Sequence, residues 1–228
     1  MAVTDTETSI FDFTGNNLCL DFTNTLQDRT DKPRELLNSY GDLVLWSQEA
    51  HIITENEARR LNEKAAQHQA EAAAVLKQAI DLREAMYRIF DAIANGSPAE
   101  ESDLAMLNAA LSQSMAQACI IQREDGFVWD WVDKDLALDR MLWVLLRSAA
   151  DLLTSEERHS VRECASDDCN WLFLDTSKNH SRRWCDMKSC GTAPRCANTI
   201  IKRSIQHKMP QMKRISQTVY EKARQLGL

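Results

Sequence analysis

Glycine and proline are both scarce, at six and four residues in 228. So few chain breakers argue against turn-dense architectures. Set against many Ala, Leu, Glu and Gln, they point to a mainly helical protein. A long apolar run is also missing. The most apolar segment, residues 141–153, carries Arg147 and Asp151 and falls short of the roughly 20 residues a membrane span needs. The first nine residues, MAVTDTETS, have neither a basic start nor an apolar stretch, so no signal peptide is expected and a cytoplasmic location is. Gly-rich phosphate loops, nucleophile–base arrangements and paired-carboxylate motifs are absent, and no enzyme activity is expected. No internal repeat is present. The length suits one sizeable core, or a core with a small appended module.

Net charge is −7, and it is unevenly divided. Residues 1–154 hold 26 acidic and 13 basic side chains, a net −13; residues 155–228 hold 8 and 14, a net +6. From Lys178 onward there are 12 Lys or Arg against Asp186 and Glu221 alone. Such asymmetry points to an acidic partner, nucleic acid first, met by the C-terminal end. A solvated basic helix face is the competing reading.

Leu18, Leu20 and Phe22 alternate and read as a strand or extended entry, with a helix opening over 23–26. Residues 29–36 form a polar loop around Pro33, and 36–50 a short amphipathic helix. Thr54-Glu55-Asn56-Glu57 is a capping box, opening a helix that runs to Asn95-Gly96 with a break near 66–72. Its second half repeats at Leu76, Ile80, Arg83, Tyr87, Phe90 and Ile93. Ser97-Pro98-Ala99-Glu100 reads as a second capping box, starting a helix that buries Leu104, Leu107, Leu111 and Met115. Residues 119–131 change period around Glu124-Asp125-Gly126 and read as a β-hairpin. Asp133 is expected to cap a helix over about 134–153, and Thr154-Ser155-Glu156-Glu157 repeats the capping pattern at a domain boundary. The expected domains are a helical one at 11–155 and a cysteine-bearing one at 156–228.

Seven cysteines are present, and four of them are ordered as Cys-x4-Cys-x15-Cys-x4-Cys, at Cys164, Cys169, Cys185 and Cys190. Zinc takes four soft or borderline ligands in a tetrahedron, and thiolates on two tight turns supply them while neutralising the ion. Between the pairs, 171–174 is strand-like, 175–180 turn-rich, and 181–184 returns, so a knuckle, a hairpin and a helix resemble a treble clef. Redox chemistry fits less well, lacking a Cys-x-x-Cys near a βαβ pattern. His159 and His180 lie near, but a closed four-cysteine site requires neither. Cys19, Cys119 and Cys196 read as small apolar side chains.

Cys164, Cys169, Trp171, Phe173, Asp175, Ser177, Arg182-Arg183-Trp184-Cys185, Met187 and Cys190-Gly191 together resemble the CGNR zinc-finger family of bacteria. Leu20-Asp21-Phe22-Thr23-Asn24-Thr25 resembles a segment of the ABATE domain found N-terminal to it. The resemblance implies a regulatory, ligand-sensing N-terminal domain joined to a DNA-binding finger, in a stress-induced transcriptional regulator. The chain departs from the family name at Cys190-Gly191-Thr192-Ala193, where Asn and Arg are replaced; Arg195 is the candidate substitute.

The expected fold is therefore mainly α with a small β-hairpin and a C-terminal treble-clef-like zinc finger holding one structural zinc. Double-stranded DNA is the expected partner, met by Arg182, Arg183, Lys188, Arg195, Lys202 and Arg203, with Lys208, Lys213 and Arg214 suited to phosphates. Arg182 and Arg183 have a structural reading beside Trp184. Asp21 and Asn24 are candidates to line an effector pocket, or simply helix caps. Trp129, Trp131 and Trp143 are candidates for an aromatic wall, or for core. Useful specificity from one small finger needs a homodimer reading two half-sites, and Ile215, Val219 and Leu226 offer either a pairing face or a face that packs back on the chain's own core. The alternative to a regulator is a zinc-stapled interaction adaptor that does not bind DNA.

Overall fold

A 26-residue helix, about 39 Å long, organises the rest of the structure. The computed structural model describes residues 9–30, 32–132, 136–167 and 169–191, all within one compact unit that ends at Gly191. In chain order the elements are α1 (Leu18–Thr23), β1 (Leu26–Gln27), β2 (Arg34–Glu35), α2 (Tyr40–Glu49), α3 (Glu55–Gln67) and α4 (Gln69–Ala94). They continue with α5 (Glu101–Met115), β3 (Ala118–Arg123), β4 (Gly126–Trp131), α6 (Arg140–Thr154), a 3₁₀ turn (Glu156–Ser160), β5 (Val161–Glu163) and β6 (Leu172–Leu174). The fold is mainly helical, with three separate antiparallel strand pairs among the described residues. No helix among the described residues is long and apolar enough to cross a membrane.

The capping box at α3 forms as expected. Thr54 Oγ1 accepts from the Glu57 amide (3.3 Å), and the Glu57 carboxylate accepts from the Thr54 amide (2.8 Å). The expected break falls at His68, and Gly96 closes α4 at φ +66°, the left-handed region glycine adopts without strain. The core face of α4 differs slightly from the expected stripe. Val75, Ala79, Leu82, Met86 and Ile89 are buried along with Arg83 and Phe90, while Leu76, Tyr87 and Ile93 flank them. Neighbours crowd α4 on several sides, and small Ala72, Ala79 and Ala85 let them approach, so the buried arc is wide and shifted.

Three other expectations are corrected. Leu18–Thr23 is helical and Leu26–Gln27 extended, the reverse of the sequence reading. Asn17 caps α1 by accepting the Cys19 amide (3.2 Å), and with Cys19, Leu20, Asp21, Phe22 and Thr23 all buried, the alternation carried no facing information. The helix expected from Pro98 starts at Glu101 instead. The Ser97 amide is held by Ala92 O (2.8 Å) in the closure of α4, and Arg88 clamps Asp103 through two bonds (2.8 and 2.6 Å) in the first turn of α5. That helix buries Leu107, with Leu104 and Leu111 at its margins, but leaves Met115 exposed. Finally, α6 begins at Arg140, not near 134; Asp133 and Lys134 lie outside the described residues. Leu136 has φ +53°, and Leu138 O is fixed by the Tyr40 hydroxyl (2.8 Å), which delays the helix. Thr154 closes α6, its hydroxyl bonding back to Ala150 O (2.8 Å), so the repeated pattern there is not a capping box.

The polar loop of 29–36 is closed by the two-residue β1–β2 ladder and fastened to α4 through charge. Buried Arg83 reaches both Glu35 oxygens (2.6 Å each), Glu84 (2.9 Å) and Thr25 Oγ1 (3.2 Å). Arg29 bonds Glu84 (2.6 Å) and Thr23 O (2.9 Å) and lies over the Tyr87 ring at 3.7 Å. Burial alone raises the Glu35 pKa, but the bonds from Arg83 and the Leu37 amide, with the arginine's charge, hold it below its ordinary value. Replacing Arg83 with Met leaves a partly buried carboxylate without its cation. The expected loss is on the order of 3 kcal/mol in urea unfolding at pH 7, and it should shrink as the pH falls through the depressed Glu35 pKa and the carboxylate protonates.

Candidate metal centre

The site begins with β6. Its central residue, Phe173, faces the cysteines, while Leu172 and Leu174 face the main apolar core with Val161. β6 pairs with β5 in the register Val161↔Leu174 to Glu163↔Leu172. The return strand expected at 181–184 does not form. The hairpin partner is the upstream strand β5, and 181–184 runs as irregular chain tied to the first knuckle by Ala165 N→Arg183 O (2.8 Å).

Cys164 leaves β5 with its amide bonded to Trp171 O (2.8 Å), and Cys169 follows on a turn. Cys185 donates its amide to Cys164 Sγ (3.4 Å), joining the two halves. Cys190 ends a tight turn in which the amides of Cys190 and Gly191 both reach Asp186 O (3.1 Å each), and Asp186 Oδ2 holds Ser189 N (2.8 Å). Only glycine fits at 191, where a Cβ would lie 2.6 Å from Met187 O.

The four sulfurs all lie within 4.8 Å of one another, with Cys169–Cys185 and Cys185–Cys190 at 3.5 Å. A zinc–sulfur bond of about 2.3 Å in a tetrahedron separates sulfurs by roughly 3.8 Å. The cluster therefore suits one structural zinc ion, with every coordination position filled by protein. Cys164 and Cys185 are buried and Cys169 and Cys190 half-buried, among Phe173, Trp171 and Trp184. Hydrogen bonds from Cys169 and Cys185 push the Cys164 thiol down, and the same bonding to Cys164 pushes both of those thiols up. Thiols this close do not all ionise by themselves; a dication makes four thiolates compatible. His180 sits on the neighbouring turn with Nδ1 3.1 Å from Asp175 O, outside the cluster.

The structure separates the two arginines of the Arg182-Arg183 pair. Arg182 donates to Trp184 O (2.9 Å), Thr14 O (3.1 Å) and Cys185 O, and lies over the Phe173 ring at 4.5 Å. Its amide is held by buried Asp175 (2.9 Å). The guanidinium thus braces the metal loop against the N-terminal segment. Arg183 is exposed beside Trp184, at 5.3 Å, and Lys188 is exposed on the last turn. Arg195, Lys202 and Arg203 lie outside the described residues, as do Thr192, Ala193 and Cys196. Cys19 is buried in α1, where burial pushes its thiol up to about 12, and Cys119 lies on β3.

Asp21 and Asn24 meet β6 rather than either of the clefts described below. The Asn24 carboxamide donates to Leu172 O (2.9 Å) and accepts from Leu172 N (3.0 Å), as a neighbouring strand would. Asp21 Oδ1 accepts from Gly15 N (2.7 Å), and Gly15 O then takes Leu174 N (2.8 Å). Asn16 completes the edge by donating to Leu174 O (3.2 Å). Sequence reasoning missed this role, for the partners are about 150 residues apart and no local pattern signals them. A cleft of about 600 Å³ lies between α4, α5 and α6, lined by Gln78, Ser114, Gln117, Asp139, Trp143 and Leu146 among others. A second, of about 370 Å³, adjoins it between α4 and α5. Trp143 lines the first, donating to Asp139 (3.1 Å), with the Trp131 ring tilted against it at 5.7 Å; Trp129 is instead part exposed.

The family model described as "Putative stress-induced transcription regulator", ABATE, matches residues 16–156. The chain belongs to the ABATE family. Residues 160–203 match the CGNR zinc finger, which takes in all four clustered cysteines. A search of curated proteins gave no match. In ABATE terms, the Leu20–Thr25 segment supplies the seam through which the helical domain grips the finger's β6.

Two outcomes follow from this geometry. Metal analysis should find one zinc per chain, and Cys185→Ser should abolish it and unfold residues 161–191 by proton NMR. Burial raises the Asp21 pKa from 3.8 to about 7, against the opposing Gly15 bond and with help from Asp12. A raised carboxyl keeps its proton in the folded state where the unfolded chain has released it, so stability falls as pH rises from about 4 to about 7. Asp21→Asn should remove that component. Denaturant unfolding across this range should show the variant gaining on the wild type by on the order of 2–4 kcal/mol towards pH 7.

Proposed function

We propose that the protein is a cytoplasmic, non-enzymatic transcriptional regulator that binds double-stranded DNA through its zinc finger and the basic stretch after it. The observation that carries this reading is the charge division. From Lys178 onward, 12 basic side chains stand against two acidic ones, on a segment rooted in a zinc-held loop of an ABATE-family chain. Arg183 and Lys188 are exposed next to the metal site, and Arg195, Lys202 and Arg203 follow in sequence; these are the proposed phosphate and base contacts. Arg182 has a different role, positioning the loop through three backbone carbonyls. The proposed effector is a small molecule entering the cleft between α4, α5 and α6, whose size falls in the ordinary range for ligand sites. One specific observation favours the adaptor reading: Thr192-Ala193 stands where the finger family has Asn-Arg.

Selection on random DNA followed by mobility shift separates the two. A regulator gives a shift at low salt whose log affinity falls linearly with log salt. Arg183→Ala and Lys188→Ala should each lower that slope by about 1, while Arg182→Ala should lower zinc retention. No shift at low salt, with zinc bound, selects the adaptor.

A further inference from the structure

The β3–β4 hairpin is an arm with far more apolar surface in water than it needs for its own folding. Phe127 is 74 % exposed, Ile120 62 %, Val132 52 %, Trp129 46 % and Val128 37 %. Ile120 and Trp129 are cross-strand partners, and Phe127 follows on the same face one step towards the tip. Only the base is anchored, by Trp131 on Trp143 and by Arg147 of α6 lying 4.2 Å over the Trp129 ring. Val128 and Val132 alternate to the opposite face, so the contiguous patch is Ile120, Phe127 and Trp129. A two-stranded ribbon by itself is marginal in water, and a contiguous apolar patch marks a contact with another molecule.

The charges around the patch select the kind of partner. Glu124 and Asp125 form the exposed tip, and Arg123 beside them is paired with Asp130 of β4 (3.9 Å), so the arm is net acidic and phosphate backbones and anionic membrane surfaces are repelled. At the base of the arm α6 presents Arg147, about a quarter exposed and paired with Asp151 at 3.4 Å. An acidic tip and this guanidinium complement each other when two arms lie antiparallel; parallel arms would oppose acid to acid. A surface holding both halves of its own complement suits a two-fold axis. The area agrees. Ile120, Phe127 and Trp129 together leave on the order of 400 Å² exposed on that face, close to the apolar share of the roughly 800 Å² each partner buries in a stable interface.

We propose that the β3–β4 arm is a homodimerisation surface, on which the arm of a second copy lies antiparallel, Phe127 and Trp129 against their counterparts and Glu124 and Asp125 towards the partner's Arg147. This goes beyond the regulator reading by locating the contact between copies, and self-association is measured without DNA, so the two stand or fall separately.

Sedimentation equilibrium of the full, zinc-loaded chain tests it. The wild type should be dimeric at micromolar concentration, and Phe127→Ser with Trp129→Ser should raise the dimer Kd at least tenfold. Glu124→Lys with Asp125→Lys should weaken it as well, and adding Arg147→Glu should restore it, which a parallel or unrelated contact would not do. Zinc content and circular dichroism confirm that each variant is folded. Should the double serine variant fail that control, hydrogen exchange of the wild type serves instead: amides of 118–131 should gain protection as protein concentration rises. A wild-type monomer throughout the micromolar range, a dimer indifferent to the arm substitutions, or concentration-independent exchange in 118–131 would overturn the proposal.

Discussion

The three residues of β6 hold the molecule together. Leu172 and Leu174 close the helical core, Phe173 closes the cysteine cluster, and the backbone between them is bonded on both edges. One edge is β5; the other is not a strand at all, but the Asn24 carboxamide, Gly15 O and the Asn16 amide. A buried strand edge with unpaired amides would be costly. The N-terminal segment is therefore part of the floor on which the metal loops rest.

Charge is handled in two ways on the two sides of this strand. Within the helical body, Arg83, Arg29, Glu35 and Glu84 form a closed set in which each buried charge has an opposite neighbour. Near the metal, Arg182 is consumed in the same fashion by carbonyls, and Asp175 by amides. Arg183 differs from Arg182 by one position and is exposed. Neighbouring arginines thus have unlike roles because irregular chain turns one towards the Phe173 ring and the other to solvent. The acidic excess of the body leaves the basic segment as the region suited to a polyanion.

Some features were readable because their physics is local. The Thr54–Glu57 box involves atoms three residues apart, the hairpin loop has two residues, and the cysteines of each pair are five apart; tight turns bring such groups together whatever surrounds them. The same logic failed where a distant contact competed. Ser97 and Thr154 carry capping patterns, yet one amide closes the preceding helix and one hydroxyl bonds backwards. Alternation at Leu18, Leu20 and Phe22 resembled a strand because a helix buried all round shows no polar face.

By itself, the sequence determined the helical class, the breaks at His68 and Gly96, the β3–β4 hairpin, the zinc ligands Cys164, Cys169, Cys185 and Cys190, and the opposed charges of the two ends. Each follows from composition or from spacing within a turn or two. Only the tertiary structure decided that β5 rather than 181–184 pairs with β6, that Asn24 and Asp21 take part in a seam along β6, and that Arg182 is a brace. The last two depend on which groups, some 150 residues apart, must satisfy one another once water is excluded, and no local pattern encodes that pairing.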